Sequence, residues 1–348
     1  MSPVRMLVVS DTHVGYDFPA RPRSGRRVRG QDFVDNFQAA LQPAHEGVVD
    51  IVVHAGDVFD HPEPSPAVAD IAYGLLRAVA ERGIPVVVIP GNHERARLPC
   101  PLLIMHQNIH RLDRARTVML EVRGTSVAVG GFPYARKVRR VFPGLVRETR
   151  LQQTAADVKV LVVHHCIEGA KVSLPEGGSF TFRDAPDVIA TRDLPSYAAA
   201  VVSGHLHRHQ VLRQGTPCPV VYGGSVERTA FAEMHETKGF VILTFDASEG
   251  GGELREVDFR ALPARPMVRA SIDPEGDVPA QAKRAIAAAD PNAIVRLEVK
   301  GPTRSLPGLR AGVLRSLAPS TMNVHVVFAD REPRFAPLSR ARRRVPTA

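Results

Sequence analysis

The chain of 348 residues exceeds one typical domain, and its 44% apolar content is enough to bury a substantial core. No apolar run approaches the roughly 20 residues of a membrane span, and the N-terminus goes straight into a strand, so a soluble, cytoplasmic protein without a secretory leader is expected. Cys100, Cys166 and Cys218 are odd in number and lack Cys-x-x-Cys spacing, which excludes a disulfide framework, while the net charge of +9 reflects basic clusters able to attract a phosphate backbone.

In chain order, a first strand, Met6–Val9, runs into Ser10-Asp11-Thr12-His13. Phe33, Phe37 and Leu41 repeat at four-residue spacing and predict a helix, after which Ile51–Val53 leads to Gly56-Asp57. Val68, Ile71, Leu75 and Leu76 mark a second helix face, ended by Gly83-Ile84-Pro85, and Val86–Ile89 then runs into Gly91-Asn92-His93-Glu94. An arginine-bearing helical stretch closing near Thr154 precedes Val158–Val163 and His164-His165. Ala199–Val202 precedes Gly204-His205-Leu206-His207. Later strands at Val220–Tyr222, Phe240–Phe245 and Leu254–Phe259 read as antiparallel, a second sheet facing the first.

Near residue 260 the texture changes. The linker Ala261–Pro266 precedes strand Val268–Ile272, helix Ala280–Ala289, strand Ile294–Val299, helix Leu309–Leu317 and strand Val324–Phe328. We read residues 1–260 as the main domain, 267–330 as a small α+β domain and 331–348 as a basic tail.

Five apolar runs thus end in clusters of metal-binding side chains. In an open α/β sheet, ligands bind outside the carboxyl ends of the strands, so these tips can pool their groups at one point. Oxygen donors from Asp and Asn together with several imidazoles, and no thiolate, suit Mn, Fe or Zn. A pair of such ions clamps an in-line displacement at phosphorus, which makes phosphoester hydrolysis the leading chemistry. Taken singly, each tip also reads as an ordinary turn; their co-occurrence in order carries the inference. Cys166, two residues past His164, reads as a small buried side chain rather than a nucleophile. His54 reads as a core residue bonded to a neighbour, and His209 as an outer neighbour of the site or strand surface.

The order Asp-x-His, Gly-Asp, Gly-Asn-His-Glu, His, Gly-His-x-His resembles the calcineurin-like metallophosphoesterase superfamily. The stretch from Tyr222 through Glu233, followed by Lys238-Gly239-Phe240, is similar to the SbcD-type DNA repair nucleases within it. The resemblance implies a four-layer α-β-β-α sandwich with a C-terminal capping domain that helps to hold DNA. It gives Asp11, His13 and His207 to one divalent metal, Asn92, His164 and His205 to the other, and Asp57 to both, with Mn as the favoured ion and a water-derived nucleophile between the two. His93 corresponds to the family's catalytic histidine, which stabilises the transition state or protonates the leaving oxygen. Some relatives carry a second active-site histidine where this chain has Asp60, with His61 one step later.

The implied activity is a metal-dependent DNA nuclease, exonuclease or endonuclease; a phosphodiesterase or phosphatase acting on a small molecule or phosphoprotein is the alternative. The run Arg21, Arg23, Arg26, Arg27, Arg29 has no acid in it, and Arg26 and Arg27 are the candidate DNA contacts. Arg136, Lys137, Arg139 and Arg140 form a second cluster, and the tail from Arg331 has six arginines and one glutamate, contributing five of the nine net charges. The resemblance also implies an SbcC-type coiled-coil ATPase partner, with weaker or differently built attachment given the short tail, and is compatible with a homodimer.

Overall fold

The computed structural model describes residues 3–17, 29–175, 177–300 and 311–329. They divide into two compact units, one ending at Arg265 and one beginning at Pro266. Arg21, Arg23, Arg26 and Arg27, and the tail from Arg331, lie outside the described residues.

The first unit begins with β1 (Val4–Val9), α1 (Gly30–His45), β2 (Ile51–His54), α2 (Pro66–Ala80), β3 (Val86–Val88) and β4 (Ile109–Arg111). It continues with β5 (Arg116–Val122), β6 (Thr125–Gly131), α3 (Val138–Thr149), β7 (Val158–Val163) and four short strands, β8 (Cys166–Ile167), β9 (Lys171–Ser173), β10 (Ser179–Thr181) and β11 (Val188–Ile189). It closes with β12 (Ala200–Ser203), β13 (Gln210–Leu212), β14 (Val220–Tyr222), β15 (Gly239–Asp246) and β16 (Glu253–Ala261).

Two mixed sheets result, in the strand orders β16-β15-β1-β2-β3-β4 and β13-β14-β12-β7-β6-β5. Period-two alternation places their side chains in separate layers. In β1, Leu7 and Val9 pack with α1 and α2, whereas Met6 and Val8 join Val53, Val87, Val160 and Val162 in the layer between the sheets. In β7, Leu161 and Val163 turn outward onto Phe142 of α3. The order of layers is α-β-β-α.

Strand allocation differs from the sequence reading. β14 lies parallel to β12 in the second sheet, while β15 pairs antiparallel with β1 and so extends the first sheet, with β16 at its edge. The β5–β6 hairpin was not expected. It turns on Arg123 and Gly124, both at positive φ (49° and 73°), the conformation of a tight two-residue hairpin turn.

α1 buries Phe33, Phe37 and Leu41 as expected. In α2, Ser65 caps the N-terminus by accepting from the Val68 amide at 3.4 Å, and Pro66 supplies a preset φ at the first turn. Its buried stripe is Val68, Ala72, Leu76 and Val79, with Tyr73, so small alanines carry the contact; Ile71 instead faces solvent, 45% exposed. α3 ends at Thr149, five residues before Thr154, because Arg150 takes a left-handed conformation at φ 60°.

The second unit is β17 (Met267–Ile272), α4 (Val278–Ala287), β18 (Ile294–Lys300), α5 (Ala311–Ser316) and β19 (Asn323–Ala329). Its three strands are all parallel, and Val295, Leu297, Ala282, Ile286 and Leu314 share one core. No helix among the described residues is long and apolar enough to cross a membrane.

Candidate metal centre

The five chemical tips come from both sheets. β1, β2 and β3 deliver Asp11, His13, Asp57 and Asn92; β7 and β12 deliver His164, His205 and His207. Asp11, His13, Asp57 and His205 all hold positive φ (52°, 42°, 52° and 78°), a conformation that costs non-glycine residues free energy and clusters at functional sites. Two motif glycines are there for space. A Cβ on Gly91 would lie 2.1 Å from Asp57 Oδ1, and one on Gly56 would lie 2.3 Å from His164 Nδ1.

The ligating atoms gather in three overlapping groups, each within 4.8 Å: Asp11 with His13 and His207, Asp57 with His164 and His205, and His13 with Asp57 and His93. Asn92 joins the second group, its Oδ1 lying 3.1 Å from His164 Nε2 and 2.7 Å from His205 Nδ1. Asp57 Oδ2 is 3.2 Å from His164 Nε2, and Asp57 Oδ1 accepts from the His93 amide at 2.9 Å. His13 Nε2 and His207 Nε2 point at each other across 3.1 Å.

These residues fit divalent cations. Asp11 Oδ2 is buried without a hydrogen-bond partner, an arrangement that is costly unless something positive sits beside it. The outer nitrogens are already engaged: His164 Nδ1 lies 2.8 Å from the Ala55 carbonyl oxygen and His207 Nδ1 3.1 Å from Glu233 Oε1, which leaves each Nε2 turned into the cluster. A set of carboxylate, amide and imidazole donors without thiolate is a dimetal-type site suited to two first-row divalent ions.

Proton affinities follow from the crowding. Burial works against charge on His164, but Asp57, by charge and hydrogen bond, and Asp11 raise it to about 9. Burial would raise Asp57, yet His164 holds it well below the usual carboxylate range. Burial, reinforced by His164, lowers His205 to about 4. The ion-free centre therefore carries a proton on His164 at neutral pH. A raised pKa means that this proton stabilises the ion-free fold fully below about 6.5 and progressively less up to about 9. Cations compete with it, so metal uptake should release on the order of one proton, and affinity should rise about tenfold per pH unit up to that value. Calorimetric titration with Mn at pH 6.5, 7.5 and 8.5, in buffers of different ionisation enthalpy, measures both; pH-independent affinity without proton release would refute it.

Three groups escaped the sequence reading. Glu94 is buried and accepts from the amides of Asp57 (3.2 Å), Phe59 (2.8 Å) and Gly91 (2.7 Å), fastening the β2 tip to the β3 tip. Burial, together with the charge of Asp57, raises it to about 7. Glu233 bonds His207 and accepts from Thr229 Oγ1 at 2.8 Å, and its other oxygen is 2.6 Å from Lys238 Nζ. Lys238, fully buried, also contacts Glu236 at 2.8 Å. The available signal was the pairing of Glu233 with Lys238 in the very stretch that carried the nuclease resemblance.

Other residues separate cleanly. His165 turns away from the cluster, contacts the Ala135 backbone and stacks on Tyr134 at 5.0 Å. His54 is buried in β2 with Nε2 3.0 Å from Thr12 Oγ1, and His209 bonds the Tyr222 carbonyl at 2.7 Å. Asp60 faces His13, Oδ1 to Nδ1 3.5 Å, while His61 is 64% exposed and joins none of the three groups. Burial raises the Cys166 thiol to about 12, which makes it inert as a nucleophile.

Residues 4–209 match the family model described as calcineurin-like phosphoesterase. The chain belongs to this family. As a metallophosphoesterase it is a hydrolase. It is 26% identical over 276 residues to the DNA double-strand break repair protein Mre11 of Methanosarcina acetivorans, covering 78% of this chain and 41% of that protein. It is 27% identical over 282 residues to the SbcD component of nuclease SbcCD of Bacillus subtilis, covering 71% of this chain and 67% of that one. This phosphoesterase thus spans about two fifths of the first relative's length and two thirds of the second's. Among solved structures, TT1561 of Thermus thermophilus aligns with a TM-score of 0.47 at 10% identity, over 75% of this chain and 99% of that one.

Proposed function

We propose that this phosphoesterase is a metal-dependent DNA nuclease of the SbcD type, acting in DNA repair. The observation that carries the reading is the extent of the similarity. Matches to the Mre11 and SbcD proteins cover 78% and 71% of this chain, more than the segment 4–209 that matches the family model.

In this reading Asp11, His13 and His207 hold one ion, Asn92, His164 and His205 the other, and Asp57 bridges. A pair of divalent ions held there, with Mn the favoured identity, would supply a nucleophile at neutral pH and charge stabilisation at phosphorus. The rest is the protein's own work. His93 Nδ1, 2.6 Å from the Asp60 carbonyl oxygen, donates there, which fixes the ring and leaves Nε2 to give a proton to the leaving oxygen. Glu94 holds the Asp57 backbone, and Glu233, itself fixed by Lys238, orients His207. The unit from Pro266 onward serves as the capping domain, and a long coiled-coil ATPase of the SbcC type is the partner.

The deciding experiment compares Mn-dependent cleavage of single-stranded DNA, double-stranded DNA and a generic aryl phosphodiester. We expect cleavage of all three, abolished by EDTA. Turnover of the aryl ester without cleavage of either DNA would replace this reading by a phosphodiesterase acting on small molecules.

A further inference from the structure

A cavity of about 570 Å³ has walls that include Arg97, Arg111, Arg114 and Arg116 against a single carboxylate, Asp113. Arginine keeps its charge at any pH the fold survives, so this lining has a formal excess of three positive charges. Some arginines of the first unit do have carboxylate partners, among them Arg77 with Asp70, Arg123 with Asp50, Arg139 with Asp184 and Arg265 with Asp32. Among the described residues none of the four cavity arginines is in an ion pair, and Arg116 Nε is buried without any hydrogen-bond partner. Gathering four like charges around one space is repulsive unless an anion completes it.

The fold fixes where this space lies. β4 runs parallel to β3 with Arg111 opposite Val88, and the Leu112 amide donates to the Val88 carbonyl. Arg111 therefore emerges at the same end of the sheet as Gly91, Asn92 and His93. Arg97 belongs to the same turn, its amide donating to the carbonyl of Glu94, the residue that anchors the bridging Asp57. One wall of the cavity is thus a continuation of the loop that carries Asn92 and His93.

We propose that this cavity is an anion site that takes backbone phosphate of the DNA strand beyond the bond being cut, an inference that rests on the nuclease reading above. The guanidinium's planar fork matches phosphate oxygens two at a time, and the mainly charged lining disfavours an apolar guest. The site grips and positions the strand; it takes no part in bond breaking. A small aryl ester, with no phosphate beyond the scissile one, gives the site nothing to hold.

The test uses the full chain and two double variants, Arg97→Gln with Arg114→Gln, both exposed positions, and Arg111→Gln with Arg116→Gln. Binding of a labelled single-stranded oligonucleotide is followed by anisotropy in EDTA, where nothing is cut, across a range of salt. We expect each double variant to bind about tenfold or more weakly and to lose roughly 0.7 from the slope of log K against log salt for each phosphate contact removed. Turnover of the aryl phosphodiester with Mn should stay within about twofold of the parent, a readout of an intact centre. Unchanged affinity and slope in variants that fold normally overturn the anion site, whatever the DNA cleavage assay gives. Weakened binding in the variants, with no DNA cleavage by the parent chain, instead keeps the anion site and overturns the nuclease reading. Absence of oligonucleotide binding by the parent overturns both.

Discussion

Replacing Asp57 by asparagine should leave a folded protein that holds neither cation tightly and no longer hydrolyses phosphodiesters. Asparagine tolerates the positive φ of 52° at this position, so the backbone has no reason to rearrange. What would disappear is the charge proposed to lie between two cations, together with an oxygen 3.2 Å from His164 Nε2. An amide turned to keep the bond from the His93 amide must present its NH2 toward His164, opposing a ligand instead of assisting one. Altering a group that merely orients a metal ligand costs 10–100-fold in affinity, so losing the shared carboxylate should cost more than about 100-fold. Metal analysis after gel filtration, alongside aryl phosphodiester turnover, decides it; two retained metals with parental activity would remove Asp57 from the bridging role.

His93→Ala should separate chemistry from metal binding. Its ring is about one-third exposed, edge-on to His13 at 4.7 Å, with Nε2 3.8 Å from Asp57 Oδ2. Removing a general acid of this kind costs roughly 100-fold or more in turnover. Metal content should be unchanged. His93 also belongs to a group with His13 and Asp57, so a loss of metal in step with activity would make His93 a ligand instead.

Much of this centre was legible in the chain itself. Met6–Val9, Ile51–Val53 and Val160–Val163 are continuous apolar runs because their strands are covered on both faces, and each run ends where polar side chains begin. Helix α1 was readable from Phe33, Phe37 and Leu41 for the matching reason, one apolar stripe on one face. Strand partners were not. Phe240–Phe245 looks the same whether it pairs with β1 or with β14, since pairing is decided by distant segments and not by local pattern. Arg123-Gly124 is a weaker turn sign than Asn-Gly, so the β5–β6 hairpin passed unnoticed. Glu94 and Glu233 were visible as letters only. Their roles depend on which amides and which imidazole the folded chain brings to them.

The division of the candidate metal ligands between two sheets has a mechanical side. Asp11, His13, Asp57 and Asn92 ride on one slab of the sandwich, and His164, His205 and His207 on the other, with Met6, Val8, Val53, Val160 and Val162 forming the apolar seam between. Cations seated across such a seam would act as rivets, and the seam in turn would act as the jig that spaces them. Packing faults there would be felt as detuned chemistry before they were felt as unfolding, because ligand distances tolerate far less slip than a hydrophobic layer does. Valines with no polar atom on their side chains thereby become custodians of catalytic precision.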